Sequence, residues 1–243
     1  LAGPWGFGLL KRGHPGRGVL TTRRGRMAKQ VSPIRKDRKR NPQVTRAAIL
    51  RAALEEFSEV GHSGARVDRI AARAGVSKPM IYDYFGDKDA VYAAALREAY
   101  VQIRQAEMTL ELDTLDPEEA VRALVHFTMN HFWNNPWFIR MLNTENLMGG
   151  ETIRKLEDAT DIQSVLLRRV EEILQRGHDA GLFKSSIDPV ELYIFIASAC
   201  WFPISNMHTL SVVFEAPIDE VWLKGHAEKA ANMVIGYLKT DLS

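Results

Sequence analysis

From Val67 to Phe85 the chain runs Val67-Asp68-Arg69-Ile70-Ala71-Ala72-Arg73-Ala74-Gly75-Val76-Ser77-Lys78-Pro79-Met80-Ile81-Tyr82-Asp83-Tyr84-Phe85. Ile70 and Ala74 fall on one helical face, and Ala71 is small where a second helix must cross closely. Gly75 can take the left-handed conformation of a tight turn, and Val76, Ile81 and Phe85 give the next helix its apolar contacts, with Ser77 as its N-cap. This spacing predicts a helix-turn-helix, whose second helix enters a DNA groove by its N-terminal end. With Ile81 and Phe85 turned inward, Lys78, Pro79, Met80 and Tyr82 remain to meet a duplex. Lys78 offers a cation to phosphate or guanine, Pro79 and Met80 offer apolar contact such as to thymine methyls, and the helix N-terminus beside Ser77 favours phosphate. The competing reading is an ordinary αα-corner, in which the same residues only pack.

The elements that must position these residues are helical, because apolar residues recur three and four apart and no long stretch alternates with period two. The pattern predicts an all-α protein of about nine helices. The first runs from about Gln43 to Val60 and is ended by Gly61; short helices follow at about 66–74 and 77–85. A longer one starts near Lys88 behind the cap Asp87 and continues to about Met108. Asp116-Pro117-Glu118-Glu119 and Asp188-Pro189-Val190-Glu191 repeat a start signal of capping acid, proline at the first helical position and a following Glu, and Asn135-Pro136 gives it without the Glu. These divide residues 117–240 into about five helices, the last at about Val221 to Leu238. The expected organisation is an arm over 1–42, a DNA-binding domain over 43–87, and a larger helical domain over 88–243. Residues 1–26, dominated by Gly, Pro and Arg, read as an upstream extension, with Met27 as the working start.

Charge supports the nucleic-acid reading. Residues 1–46 hold thirteen Lys/Arg against the single acid Asp37, a local +12, whereas the rest of the chain sums to −10. A basic arm on an acidic body suits a polyanionic partner met at one end. Arg38, Lys39 and Arg40 precede the first helix; they either follow the DNA backbone or minor groove or form a solvated tail with only salt-sensitive affinity.

Residues 44–96, above all Ala48-Ile49-Leu50-Arg51-Ala52-Ala53-Leu54, Gly75-Val76-Ser77-Lys78 and Ile81-Tyr82-Asp83-Tyr84-Phe85-Gly86-Asp87-Lys88, resemble the DNA-binding domain of the TetR family of bacterial transcription regulators. The resemblance implies a homodimer on a pseudopalindromic operator, most often as a repressor, with an all-helical second domain that dimerises and binds a small-molecule effector. It also implies DNA-backbone contacts for Tyr84 and Lys88. Two departures stand out. Gly64-Ala65 occupies the start of the second helix, where the family often has Thr, so that contact would fall to Arg66; and Pro79-Met80 replaces a commoner small-residue and Thr pair, so the operator sequence cannot be borrowed. Asn135-Pro136-Trp137-Phe138-Ile139-Arg140-Met141, the Glu145–Gly150 turn and Gly181-Leu182-Phe183 with Asp188-Pro189 more distantly resemble the branch that includes the pyrimidine-responsive regulator.

In the second domain, Phe132, Trp133, Trp137, Met141, Glu145, Trp201 and His208 are candidates for an effector pocket, against the alternative that the aromatic residues are simply core. Glu145 shares a helical face with Trp137, Met141 and Met148. If buried it needs a partner; it either orients an effector or turns to solvent or to an arginine. The last helix and the 189–202 helix either pair with a two-fold mate or form internal core. Catalysis finds little support. Gly61-His62-Ser63-Gly64-Ala65 lacks the strand and the final glycine of a nucleophile elbow, and His126 and His131 are five apart where a metal face wants four. Cys200, the single cysteine, lies in an apolar run, which excludes internal disulfides and fits a reducing cytoplasm. No phosphate loop, cofactor or metal set is expected. The uncharged stretch from Leu192 to Phe214 is broken by Pro203, Ser205, Asn206, His208 and Thr209, which argues against a membrane span.

Overall fold

A computed structural model describes residues 41–184, 187–215 and 217–239. The arm residues Arg38, Lys39 and Arg40, and the 1–26 extension, lie outside the described residues. The elements are α1 (Pro42–Gly64), α2 (Val67–Ala74), α3 (Lys78–Phe85), α4 (Lys88–Glu107), α5 (Pro117–Asn134), α6 (Pro136–Leu147), a 3-10 turn at Ile153–Lys155, α7 (Ala159–Asp179), α8 (Pro189–Ser205), α9 (Met207–Val213) and α10 (Glu220–Lys239). No strand occurs among the described residues. The short α9 falls in the stretch expected to be a break between α8 and α10.

Local signals account for most of these boundaries. The Asn41 side chain accepts from the Gln43 N–H at 3.0 Å beside Pro42, and Asp188 accepts from the N–H groups of Val190 and Glu191 at 2.7 and 3.1 Å. Gly61 leaves helical geometry at φ 71° as expected, but the chain makes one more turn to Gly64 rather than stopping. Ser77, Asp116 and Asn135, each read as a cap, accept no backbone N–H of the helix that follows. Asn135 shows why: its amide donates to the His131 carbonyl at 2.9 Å and accepts from the Trp137 indole at 3.2 Å, so it joins α5 to α6 instead.

Packing joins the helices through α1 and α4. α1 lies against α2, α4 and α6; α4 also touches α3, α5 and α7; and α5 packs on α7, α8 and α10. Phe57 of α1 meets Tyr92 of α4 edge-on at 4.9 Å, and His62 stacks on Phe57 while its Nε2 reaches Asp89 at 2.9 Å. Buried Leu96, Ile103, Leu124, Met129, Met141 and Leu192 continue this core through the larger body. The core thus fixes α4 at one end to the helix-turn-helix and at the other to the interior of the bundle. No single described helix is long and apolar enough to cross a membrane; α8 and α9 would be so only as a pair, and they bend by 68°.

Candidate nucleic-acid interface and ligand domain

The turn between α2 and α3 is built as the spacing requires. Gly75 adopts φ 66° and ψ 33°, left-handed geometry that side chains disfavour, and the Gly75 and Val76 N–H groups close on the carbonyls at the end of α2. Ile81 and Ala71 are buried, which pins α3 across α2. Beneath the turn lies Glu56, a carboxylate fully buried on α1. Its Oε1 accepts from the Arg66 N–H at 3.1 Å, capping α2, and it faces Arg69 at 3.7 Å and Arg73 at 3.3 Å. Arg73 also clasps Glu59 with both terminal nitrogens, at 3.0 and 2.5 Å, which lowers the Glu59 pKa and raises that of Arg73. α2 is therefore held at a fixed angle by charge as well as by packing. Sequence reasoning missed Glu56, because nothing in Glu55-Glu56 tells which of two adjacent acids points inward.

On the outer side, Lys78, Pro79 and Ser77 are exposed, and Tyr82 is 41% exposed. The Lys78 ammonium lies 3.0 Å from Asp68 and 6.0 Å from the centre of the Tyr82 ring. Asp68, hydrogen-bonded by Lys78 and near Arg66, is held below the usual carboxylate range, and Lys78 is raised in turn. Arg66 is exposed beside this group. Met80 is half-buried and so offers less surface than its neighbours. Tyr84 is half-buried against the core with its ring 6.3 Å from Phe85, and half-buried Lys88 reaches the Ser63 carbonyl at 3.5 Å. The second helix of the turn thus presents lysine, proline and tyrosine along one exposed edge.

The candidate pocket residues do not converge on one place. Phe132 and Met141 are buried core, Trp133 and Trp201 are half-buried against it, and His208 is exposed on α9. Trp137 borders an open cleft of about 590 Å³ between α1, α4 and α6, together with Arg46, Glu98 and Gln102. Glu145 is 4% exposed and turns neither to solvent nor to an arginine. Its Oε1 accepts from the N–H groups of Thr152 and Ile153 at 2.7 and 2.9 Å, so the carboxylate caps the 3-10 turn. Burial, and then the Glu145 charge, raise the Tyr92 hydroxyl pKa. A second polar group in the interior is formed by Arg104, Glu107, His131, Tyr100 and Tyr193. Its sequence signal was slight, since Arg104 and Glu107 look like an ordinary surface pair one helical turn apart. Cys200 is buried, and burial pushes its thiol up to about 12. Among the described residues no three His, Cys, Asp or Glu side chains are grouped to hold a metal.

Residues 49–95 match the family described as bacterial regulatory proteins, tetR family, and residues 117–234 match the tetracyclin repressor-like C-terminal domain. The HTH-type transcriptional repressor NicS of Pseudomonas putida is 38% identical over 167 residues, 69% of this chain and 79% of that protein. The chain belongs to the TetR family of transcription regulators. The HTH-type transcriptional regulator RutR of Escherichia coli is 27% identical over 203 residues, covering 82% of this chain and 92% of its own. Among solved structures, the regulator FadR from Bacillus subtilis, in complex with stearoyl-CoA, aligns with a TM-score of 0.62 at 18% identity over 79% of this chain and 98% of that one. That likeness is one of fold. The TetR family match covers both the DNA-reading helices and the bundle behind them, and it makes the protein a regulator rather than an enzyme.

Proposed function

We propose that this TetR-family protein is a repressor that binds a pseudopalindromic operator as a homodimer and leaves it when a small molecule enters the domain over 88–243. The observation that carries the reading is the exposed edge of α3, where Lys78, Pro79 and Tyr82 stand clear of the core that α1 and α2 form. Ser77, Lys78, Pro79, Met80 and Tyr82 would meet the major groove, while Arg66, Tyr84 and Lys88 would contact the backbone, with Arg38, Lys39 and Arg40 adding charge from the arm. Two such heads engage one duplex only when spaced by a helical turn, roughly 34–36 Å.

The surface of α8 and α10 supports the dimer. Phe195 is 44% exposed, Phe202 54% and Met233 75%, around an apolar groove of about 690 Å³ that also includes Trp222 and Tyr237. Large apolar patches of this kind mark interaction surfaces. α4 is the element through which an effector would act, because it packs on α1 and α3 at one end and on α7 at the other. An effector that favours the spacing unable to span two half-sites weakens operator binding by its differential affinity, typically about 1–3 kcal/mol.

The test is to select genomic fragments with the purified protein and titrate one in a mobility-shift assay. Wild type is expected to bind a two-fold symmetric site as a dimer, and Tyr82→Ala to abolish binding with helicity and oligomeric state unchanged. Full affinity in Tyr82→Ala would show that α3 does not read the duplex through this edge.

A further inference from the structure

Two charged side chains of α4 are nearly sealed from solvent: Arg104 is 6% exposed and Glu107 3%. Arg104 commits one nitrogen, Nη2, which lies 2.9 Å from Glu107 Oε1 and donates to the Tyr193 hydroxyl at 3.4 Å, with the guanidinium carbon 5.6 Å from the Tyr193 ring centre. Among the described residues its Nε and Nη1 have no hydrogen-bond partner, and neither do Glu107 Oε2 and His131 Nε2. Buried donors on a charged group left in this state are costly, so a cluster of them marks a place where something from outside the chain completes the bonding. The neighbouring cation Arg169 has no such surplus, because it donates to the carbonyls of Glu107 and Leu110 at the end of α4. The unused capacity belongs to Arg104.

The surroundings restrict what can complete it. His131 and Tyr100 each meet Phe138 edge-on, at 5.7 and 6.1 Å, and Tyr193 closes the side nearest Arg104. Rings on these sides suit a flat, apolar body rather than a bulky or highly hydrated one. Burial pushes the Glu107 carboxyl up against the pull of Arg104 and Arg169, which weakens its hold on Arg104. An incoming carboxylate can therefore compete with Glu107 and take up the free Nε and Nη1 of the guanidinium.

We propose that Arg104 anchors the carboxylate of a small, flat organic acid, and that the effector of this regulator belongs to that chemical class. The proposal rests on the effector-responsive reading above and adds the ligand's charge and its anchor. Arg104 lies sixteen residues beyond Lys88 on α4, roughly 24 Å at 1.5 Å per residue, so the anchor sits on the helix that begins under the DNA-reading turn.

The experiment compares acetate, hexanoate, benzoate, phenylacetate and 2-naphthoate with their primary amides by calorimetric titration of the full chain. It is paired with mobility shifts on a selected genomic fragment. At least one ring carboxylate is expected to bind tenfold or more tighter than its amide and to release the fragment. Arg104→Gln is expected to remove that preference, and Glu107→Gln, which deletes the competing carboxylate, to tighten acid binding severalfold. Equal binding of acids and amides, or no binding of any acid to wild type, overturns the proposal without reference to any variant. An undiminished preference in a folded Arg104→Gln protein overturns the anchor. Wild type that binds an acid but retains no fragment in any condition would instead refute the regulator reading and leave the anchor standing.

Discussion

His131 gives the sharpest test of how dry the interior of the bundle is. Its ring stacks on Phe127 at 5.7 Å and meets Phe138 at the same distance, and burial, followed by the Arg104 charge, pushes its pKa from 6.5 down to about 4. An unfolded chain takes up a proton at His131 near pH 6.5, whereas the folded chain does so only near 4. The stability associated with the neutral ring is therefore complete above pH 6.5 and is lost as the pH falls through that window. The slope is at most about 1.4 kcal/mol per pH unit, and the total at most about 3 kcal/mol because the ring is half-buried rather than sealed. His131→Phe keeps both ring contacts and gives up only the 3.5 Å approach of the Asn135 amide to Nδ1. Urea unfolding followed by tryptophan fluorescence at pH 4.5, 5.5, 6.5 and 7.5, at one fixed protein concentration, would measure the difference. The variant is expected to lose less stability than wild type on acidification, with the gap opening below pH 6.5 and reaching about 2–3 kcal/mol near pH 4.5. A gap that stays constant across the series would mean that the imidazole ionises alike in both states, and the account of a dry interior around α5 would fail.

Two further expectations concern the DNA edge and the bundle. Asp68→Asn releases Lys78 from its 3.0 Å partner in both heads of the dimer, so operator affinity should rise and the slope of log affinity against log salt should steepen by about 1.8, as for two added phosphate contacts. Unchanged affinity and slope in mobility shifts would mean that Lys78 does not reach the duplex. Gly177→Ala would place a methyl group 1.9 Å from the ring of Phe183, which is buried at 4% exposure. The helix gains about 1 kcal/mol from alanine, but displacing a core phenylalanine costs roughly 3 kcal/mol or more, so a net loss of about 2 kcal/mol is expected in urea unfolding. Wild-type stability in this variant would show that the close crossing at Gly177 is not needed.

The helix-turn-helix was legible residue by residue, because each requirement is local: a small Ala71, a left-handed Gly75 and an inward Ile81 lie within eleven residues and decide the turn between them. Start signals made of proline and an acid likewise located α5 and α8, since a cap depends on its own first turn. Whether the cap forms is less local. Asp188 bonds its helix, but Asn135, with the same signal, is drawn away by His131 and Trp137. Glu145 was noticeable as a carboxylate on an apolar face, yet its partners are backbone groups of a later turn that no helical spacing points to.

Sequence alone determined that the chain is all-helical, that its N-terminal part reads DNA and that no catalytic set is spelled out, because composition, period and turn chemistry act over short distances along the chain. Tertiary structure decided which charges went inside. Glu56 beneath the turn and Arg104 with Glu107 in the bundle carry the same letters as surface residues, and they differ only in what other helices lay over them. Burial is a property of the whole assembly of helices, and it is burial that turns a routine acid into a clamp and a routine arginine into a binding site.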